Sequence, residues 1–456
     1  MFSQFARADA RAILRLGGPL IVNNLATTGM TFADTVMAGQ LGARELAGLA
    51  VGVSYYTLSF LIGLGVLMSL APAVAHAYGA GEDTRIGVYA RQSLWIVLLL
   101  SVSMMALLWQ AHWVLAVIGI NREILPIAVA YCEAISWGLP AVLAFFALRF
   151  VSEGIGRTRP IMYIALLGLV LNVIGNWLLI YGKLGFPRLG VVGCAVATAV
   201  SMWCMLLALI LYMRGPAYTC YGLFDRLDAP NSAVLAELGR MGLPIAGSLL
   251  CEGGLFIAAA LLMGTMSATI AAAHQIALNY ASFMFMLPLA MHSATVIHVG
   301  HQLGAGERAA ARRAGFVGIA MCGTIMLVSA VVIVFANDAI ARIYTRDDAV
   351  RELAAALLLM AAIFQVSDGL QVGAAGALRG YKDTTAALIV CLVSYWLVGF
   401  PLAYLLGVRQ GLGPVYVWVG LIAGLSTAAV LLNWRFWRIS TRMAQALRHG
   451  DEQLAS

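Results

Sequence analysis

Residues 301–307 read HQLGAGE and residues 76–82 read HAYGAGE, so one short stretch recurs at an offset of 225 residues. The same offset aligns RLGGP at 15–19 with RMGLP at 240–244. It also pairs isolated glycines: Gly39 with Gly264, and Gly182 with Gly407. Glycine, proline and charged residues that keep one offset over most of the chain indicate two homologous halves.

The composition is that of a membrane protein. Hydrophobic residues make up 62% of the 456 residues and charged residues only 11%, whereas a soluble domain carries about 25% charged residues. Apolar runs of the roughly 20 residues that a spanning helix needs recur along the whole chain. Lipid leaves no backbone group unpaired, and the sequence lacks the alternating pattern of barrel strands. The sequence therefore predicts an all-α polytopic membrane protein.

The apolar segments predict twelve transmembrane helices in two groups of six: about 14–38, 48–77, 92–117, 125–148, 160–182 and 190–213, then about 239–264, 269–299, 314–336, 352–375, 385–407 and 413–434. We therefore predict two six-helix lobes, residues 1–213 and 238–456, joined by a cytoplasmic linker at 214–237. Because six is even, both halves insert the same way up, as a parallel repeat about a pseudo-two-fold axis along the membrane normal. Such repeats are typical of transporters, with the substrate path between the halves; a duplicated structural protein is the alternative.

Lysine and arginine predict the orientation, because cytoplasmic loops carry an excess of these residues. If the N-terminus is cytoplasmic, 20 of the 28 lysines and arginines lie on the cytoplasmic side, including Arg448. All 28 lie in loops or at helix ends. We therefore expect both termini in the cytoplasm, and the basic tail from Arg435 needs no nucleic-acid partner. Phe2–Ala10 is polar and basic, so the first helix is expected to act as an uncleaved insertion signal.

Four acidic residues lie inside predicted spans: Asp34, Glu133, Glu252 and Asp368. A charge at mid-bilayer costs about 2.5–3.5 kcal/mol even on insertion scales, and such residues usually face a water-filled path. Because no lysine or arginine lies inside a span, each acid is expected to be protonated part of the time, to bind a cation, or to face water. Glu133 lies near the outer end of its helix, where a solvated or structural role is the alternative.

Other polar residues in the spans have two interpretations. Asn172 and Asn176 are four residues apart and share one helix face, which fits either an ion site or cross-helix hydrogen bonding. His274, Gln275 and Asn279 form a similar polar stripe in span 8. The soft and aromatic residues that follow line either a promiscuous cavity or the core: Phe283, Met284, Phe285 and Met286.

No motif predicts an enzyme or a cofactor. The sequence contains no HExxH, no GxSxG elbow and no Walker loop. The seven cysteines lack metal-ligand spacing; six lie within apolar runs and are expected to be small core residues, and Cys220 lies in a loop.

Four longer stretches carry a family resemblance: FADTVMAGQLGARELAGLAVG at 32–52, GNWLLIYGKLG at 175–185, AAAHQIALN at 271–279, and AAIFQVSDGLQVGAAGALRGYKDT at 361–384. Together they resemble the multidrug and toxic compound extrusion family, in its NorM branch of bacterial cation-coupled exporters. The resemblance implies two six-helix lobes around a V-shaped cavity that alternates its opening. It implies export of small cationic, often aromatic, drugs in exchange for Na⁺ or H⁺ by a monomer in the bacterial inner membrane.

The resemblance also implies roles for particular residues. Glu252 and Asp368 match the acids near which the NorM branch places its cation, so a Na⁺ site is implied there. Asp34, with Asn172 and Asn176, matches a site in the N-terminal lobe of relatives, where protonation or Na⁺ binding is proposed. The candidates for the substrate cavity are Gln275, Asn279, Phe283, Met286 and Phe364.

Three residues depart from the pattern of the family, while Pro19 matches a proline at which the first span bends. Phe364 stands where close relatives carry tyrosine. Phenylalanine keeps the π face of the ring and lacks the hydroxyl oxygen. His298 stands where relatives often carry arginine, and His292 adds an unexpected titratable group. These departures leave the choice between Na⁺ and H⁺ open.

Two other classes of function make different predictions. A flippase for an anionic lipid-linked precursor requires arginine or lysine inside the central cavity to bind pyrophosphate. A membrane-embedded hydrolase or transferase requires a nucleophile with a base, or a metal site. The sequence offers neither, so it favours the exporter.

Overall fold

The computed structural model describes residues 2–454, with the side chains of residues 4–445. Met1, Ala455 and Ser456, which end the predicted lobes, lie outside the described residues, as does the side chain of Arg448. The described chain contains sixteen α-helices: α1 (Phe2–Gly39), α2 (Ala43–Leu67), α3 (Leu70–Gly79), α4 (Asp83–Trp109), α5 (Ala111–Val117), α6 (Leu125–Ser136), α7 (Leu139–Gly154), α8 (Arg159–Tyr181), α9 (Val191–Met213), α10 (Ser232–Met266), α11 (Ala268–Gly304), α12 (Arg308–Tyr344), α13 (Asp348–Gly380), α14 (Thr384–Cys391), α15 (Phe400–Ala403) and α16 (Pro414–Leu454). Two π-helical segments, Leu392–Gly399 and Tyr404–Arg409, flank α15, and a 3₁₀ turn covers Thr219–Tyr221.

These helices confirm the all-α polytopic class. In the described part of the chain, ten helical stretches are long and apolar enough to cross a membrane. The pair α6 and α7, bent by 51° at its break, gives an eleventh span. The first of the twelve predicted spans falls in α1, which has 38 residues but is less apolar, because Asn23, Asn24 and several threonines interrupt it.

Backbone contacts group the chain into two units. One unit is Pro19–Ala246; the other combines the residues up to Gly18 with those from Gly247 onward. The division falls inside α1 and α10, close to the repeat-related Pro19 and Pro244. The predicted interlobe linker, 214–237, groups with the N-terminal half. Each unit buries apolar cores of its own, and the predicted lobe boundaries stay a prediction.

The 214–237 segment is held against α4. Arg91 Nε donates to Asp228 Oδ2 at 2.6 Å, and Gln92 Nε2 donates to the Ala229 carbonyl at 2.8 Å. The Arg91 guanidinium holds the pKa of the Asp228 carboxyl below its usual range, because a neighbouring cation favours the charged form. Polar and charged contacts therefore fix a segment whose sequence reads as a loop.

Arg149 lies just beyond the predicted span 125–148, near the C-terminal end of α7, and is nevertheless buried. It lies inside α7, only 8% exposed, and its Nε donates to Glu153 Oε1 at 2.5 Å. The guanidinium lies 5.2 Å from the centre of the Phe146 ring. With the Asn23 amide turned so that its oxygen faces the guanidinium, both Arg149 Nη atoms donate to it at 2.9–3.0 Å. The ion pair with Glu153, one helical turn away, offsets the free-energy cost of burying the Arg149 charge.

We expect Arg149→Met to lower the free energy of unfolding by about 3–5 kcal/mol, because it leaves the buried Glu153 carboxylate unpaired. The double variant Arg149→Met/Glu153→Leu should recover most of that loss, since it removes both charges. Thermal unfolding of the purified protein in detergent compares the two. Equal stability of the single and the double variant would contradict this account.

Candidate functional site

Asp34 lies at the centre of a hydrogen-bonded cluster in the Pro19–Ala246 unit, which we call the N-terminal site. Asn172 Nδ2 donates to Asp34 Oδ1 at 3.1 Å, and Asn176 Nδ2 donates to the same oxygen at 2.6 Å. Both asparagines are fully buried, and Asp34 is 7% exposed. The spacing of four residues places both amides on the face of α8 that meets α1. The structure thus brings together the three residues that the sequence singled out.

The sequence did not predict the part that α9 plays in the N-terminal site. Thr198 Oγ1 donates to the second oxygen, Asp34 Oδ2, at 3.2 Å and accepts from Asn172 Nδ2 at 3.0 Å. Cys194, one turn earlier on α9, also forms a hydrogen bond with the Asp34 carboxyl group. The only sequence signal for this role was that Cys194 and Thr198 are four residues apart and so share a helix face. Small residues such as cysteine and threonine in an apolar run normally indicate helix packing.

The donors around Asp34 give the N-terminal site a definite chemistry. Amide and hydroxyl donors stabilise a negative charge on the carboxylate, whereas burial opposes it. Asn176 Oδ1 has no hydrogen-bond partner in the described part of the chain, so one amide oxygen remains available beside the carboxylate. The contacts establish hydrogen bonding across α1, α8 and α9, and the ion site stays a prediction.

A second pair of acids lines a cavity in the unit that begins at Gly247, which we call the acid-pair cavity. Its volume is about 170 Å³. Glu252 comes from α10 and Asp368 from α13, and the remaining lining residues come from these two helices and α11: Phe256, Leu278, Ala281, Ser282, Phe285, Met286 and Phe364. The two acids that the sequence pairs therefore share one mostly apolar cavity.

The acid-pair cavity differs from the N-terminal site in how few donors it offers. Asp368 is 4% exposed, and its Oδ1 has no hydrogen-bond partner among the residues described. Glu252 interacts electrostatically with Asp368 and with Arg379, near the end of α13. Two carboxylates in one apolar cavity repel each other when both are ionised. The cavity is therefore suited to take up a cation or a proton.

Tyr395 lies close to the two acids without lining the acid-pair cavity, and the sequence did not reveal it. It is fully buried, and it interacts with Cys391 and electrostatically with Glu252 and Asp368. It lies in the π-helical segment Leu392–Gly399, and such segments occur frequently at functional sites. Its hydroxyl supplies an oxygen near the acids, where Phe364 offers only a ring.

The other predicted cavity residues lie on two neighbouring faces of α11. Met286 lines the acid-pair cavity, but Gln275, Asn279 and Phe283 do not. Asn279 Oδ1 instead accepts from the Tyr344 hydroxyl at 3.2 Å, and Phe283 is 56% exposed. These three residues recur every fourth position and so share one face of the helix.

Three of the four histidines of α11 have contacts that indicate a structural role. His292 Nδ1 lies 2.9 Å from the Val372 carbonyl oxygen, and His298 Nε2 lies 3.0 Å from Asp9 Oδ1. His274 is 1% exposed, with its ring centre 5.7 Å from that of Trp418. None of the three lines the acid-pair cavity.

Two further predicted residues lie away from both sites. Glu133 is an exposed residue of α6, and this position fits its solvated alternative. Pro19 lies within α1, which is helical on both sides of it. The bend at Pro19 stays a prediction.

Comparison with known proteins gives a consistent result. The MatE family model matches residues 19–178 and 244–405. The two matches begin 225 residues apart, the offset of the sequence repeat, which confirms two homologous halves.

Two curated relatives cover almost the whole chain. Multidrug resistance protein NorM of Vibrio vulnificus (strain YJ016) is 38% identical over 94% of this chain and 95% of its own. Multidrug resistance protein PmpM of Pseudomonas aeruginosa is 38% identical over 99% of this chain and 96% of its own.

A solved structure confirms the fold. It is an outward-facing conformation of a multidrug resistance MATE family transporter of the MOP superfamily, and it matches with a TM-score of 0.89. The match covers 97% of this chain and 98% of that chain at 21% identity.

Proposed function

Because the chain belongs to the MatE family, we propose that it exports small cationic, often aromatic, compounds across a bacterial inner membrane in exchange for Na⁺ or H⁺. Its relatives NorM and PmpM are named multidrug resistance proteins. This chain matches them over nearly their full length, so the proposal extends their printed role to it.

One observation carries the proposal. Asp34, Glu252 and Asp368 lie inside helices of a membrane protein, and neither Asp34 nor Asp368 forms an ion pair with a lysine or arginine in the described part of the chain, while Glu252 interacts electrostatically with Arg379 near the end of α13. A carboxylate inside the membrane needs a countercharge or a proton. In an exporter of cations, that partner is mobile and alternates between the coupling ion and the drug.

Exchange follows from competition for the carboxylates. If the drug and the coupling ion both need Glu252 and Asp368 ionised, binding of one disfavours binding of the other, and this coupling is reciprocal. Each ligand shifts the inward–outward equilibrium only by its differential affinity for the two states. Na⁺ or H⁺ that enters from outside then neutralises Asp34, or the Glu252–Asp368 pair, and releases the drug outward.

The same chemistry disfavours an anionic substrate. The acid-pair cavity has two carboxylates and no basic residue among its described lining residues. Arg149, the buried arginine of α7, is paired with Glu153. A flippase for a pyrophosphate-linked lipid would require free cationic donors in its place.

The proposed membrane topology rests on the distribution of basic residues. Both termini are placed in the cytoplasm, since that orientation puts 20 of the 28 lysines and arginines there. The chain acts as a monomer, without a cofactor and without enzymatic activity.

Transport in proteoliposomes tests the proposal. The purified full-length protein is reconstituted, and ethidium flux is measured under a Na⁺ gradient alone and then under a pH gradient alone. We expect one of the two gradients to drive flux well above that of empty liposomes, and this identifies the coupling ion. Flux that neither gradient drives would contradict ion-coupled export.

A further inference from the structure

A second cavity, of about 580 Å³, lies between α12 and α16, far from the acids along the sequence. We call it the arginine cavity. Arg312, Arg313 and Phe316 line it from the first turns of α12, and Thr441 and Gln445 line it from α16. The export mechanism proposed above does not involve these residues.

The described lining of the arginine cavity carries positive charge and no carboxylate. The Arg312 guanidinium lies 5.8 Å from the centre of the Phe316 ring and forms no ion pair in the described part of the chain. Arg313 Nε donates to Asp9 Oδ2 at 2.6 Å, so the Nη atoms of Arg313 remain as donors for a ligand. The N-terminal end of α12 adds the positive end of a helix dipole.

The position of the arginine cavity matches the surface of a bilayer. In α12 the uninterrupted apolar sequence begins just after Arg313, and in α16 it ends just before Arg435. Trp434 and Trp437 of α16 are 52% and 51% exposed. Exposed tryptophans on a transmembrane helix are typical of the headgroup level.

We propose that the arginine cavity binds the phosphate headgroup of an anionic phospholipid. Basic pockets between transmembrane helices bind such headgroups, and the planar guanidinium fork matches two phosphate oxygens. Arg312 provides the principal contact, because its guanidinium is not committed to a carboxylate. The Gln445 amide lies in the same lining and supplies a neutral hydrogen-bond donor, whereas the Thr441 hydroxyl already donates to the Trp437 carbonyl.

Native mass spectrometry of the purified full-length protein tests this site. The protein is titrated with cardiolipin, with phosphatidylglycerol and, as the zwitterionic comparison, with phosphatidylcholine. We expect Arg312→Gln to weaken binding of the anionic lipids about fivefold, the effect of one basic side chain near an anionic headgroup. Phosphatidylcholine binding should not change.

Two further variants make the test specific. Arg438→Gln removes the same charge from α16, where Arg438 lies 5.2 Å from the Trp434 ring and outside the cavity lining, and it should leave lipid binding unchanged. Ala444→Trp fills the cavity with all charges kept, and it should weaken anionic lipid binding even if Arg312→Gln fails to fold. Equal loss in the Arg438 and Arg312 variants would overturn the proposal. Displacement of the lipid by excess inorganic phosphate would also overturn it, in favour of a soluble anion.

Discussion

Asp34→Asn is expected to reduce drug export to the background of cells without the protein. Asparagine has the shape of aspartate, but it neither binds a proton nor carries the charge that attracts a cation. The Asn172 and Asn176 amides can still donate to its oxygen, and Thr198 Oγ1 can accept from its new amide group in place of donating, so most hydrogen bonds of the cluster can re-form. Efflux of ethidium from cells, normalised to the amount of protein in the membrane, measures the effect.

The control is Glu133→Gln, which makes the same chemical change at an exposed residue of α6. It should retain export at the wild-type level. Export that survives in Asp34→Asn would remove Asp34 from the coupling mechanism. Loss of the protein from the membrane would instead indicate that the charge supports folding.

The sequence predicted the N-terminal site because its residues follow simple rules. A lone acid in an apolar helix needs a partner, and two asparagines one turn apart must share a face. The same reasoning could not find Thr198 and Cys194, because both residues are common in packed transmembrane helices. Their contribution depends on how α9 packs against α1 and α8, which a single sequence does not encode locally.

The acid-pair cavity shows a different limit. The sequence paired Glu252 with Asp368 through a family resemblance, and the structure places both in one cavity. The sequence did not identify Tyr395, because a π-helical segment changes which residues share a helix face. The α-helical periodicity therefore places its side chain on the wrong face. Gln275 and Asn279 show the reverse, since they form a polar stripe on a face of α11 that does not line the cavity.

The fold itself was predictable where composition and repeat agree. The apolar runs and the offset of 225 residues determine helix class and homologous halves before any contact is known. The first span is less clear, since the polar residues of α1 lower its hydropathy. The position of Arg149 near a helix end does not reveal that it is buried and paired with Glu153.

Asp368→Asn is expected to abolish transport and, at the same time, to stabilise the protein when no ligand is bound. The Asp368 carboxyl group is buried, and its Oδ1 lacks a hydrogen-bond partner in the described chain. A buried polar group without a partner costs about 1–3 kcal/mol, and more when it is charged. Neutral asparagine lowers that cost and removes the repulsion with Glu252, so the thermal midpoint should rise by a few degrees.

Ligand dependence separates this effect from general stabilisation. A coupling ion that binds the folded wild type raises its thermal midpoint by mass action. NaCl, compared with choline chloride at equal ionic strength, tests Na⁺, and lower pH tests H⁺. The midpoint of Asp368→Asn should respond much less than that of the wild type to whichever ion couples transport.

The matched control is Asp338→Asn on α12. Asp338 is half-exposed and is paired with Arg342 at 2.7 Å and with Arg351 at 3.3 Å. Because surface ion pairs contribute about 0–1 kcal/mol, this variant should be no more stable than the wild type and should still transport. If Asp368→Asn is less stable than the wild type and still exports ethidium, the Asp368 carboxylate contributes to structure and does not bind the coupling ion. A gain in stability together with loss of transport would place Asp368 among the groups that a functional site maintains at the expense of stability.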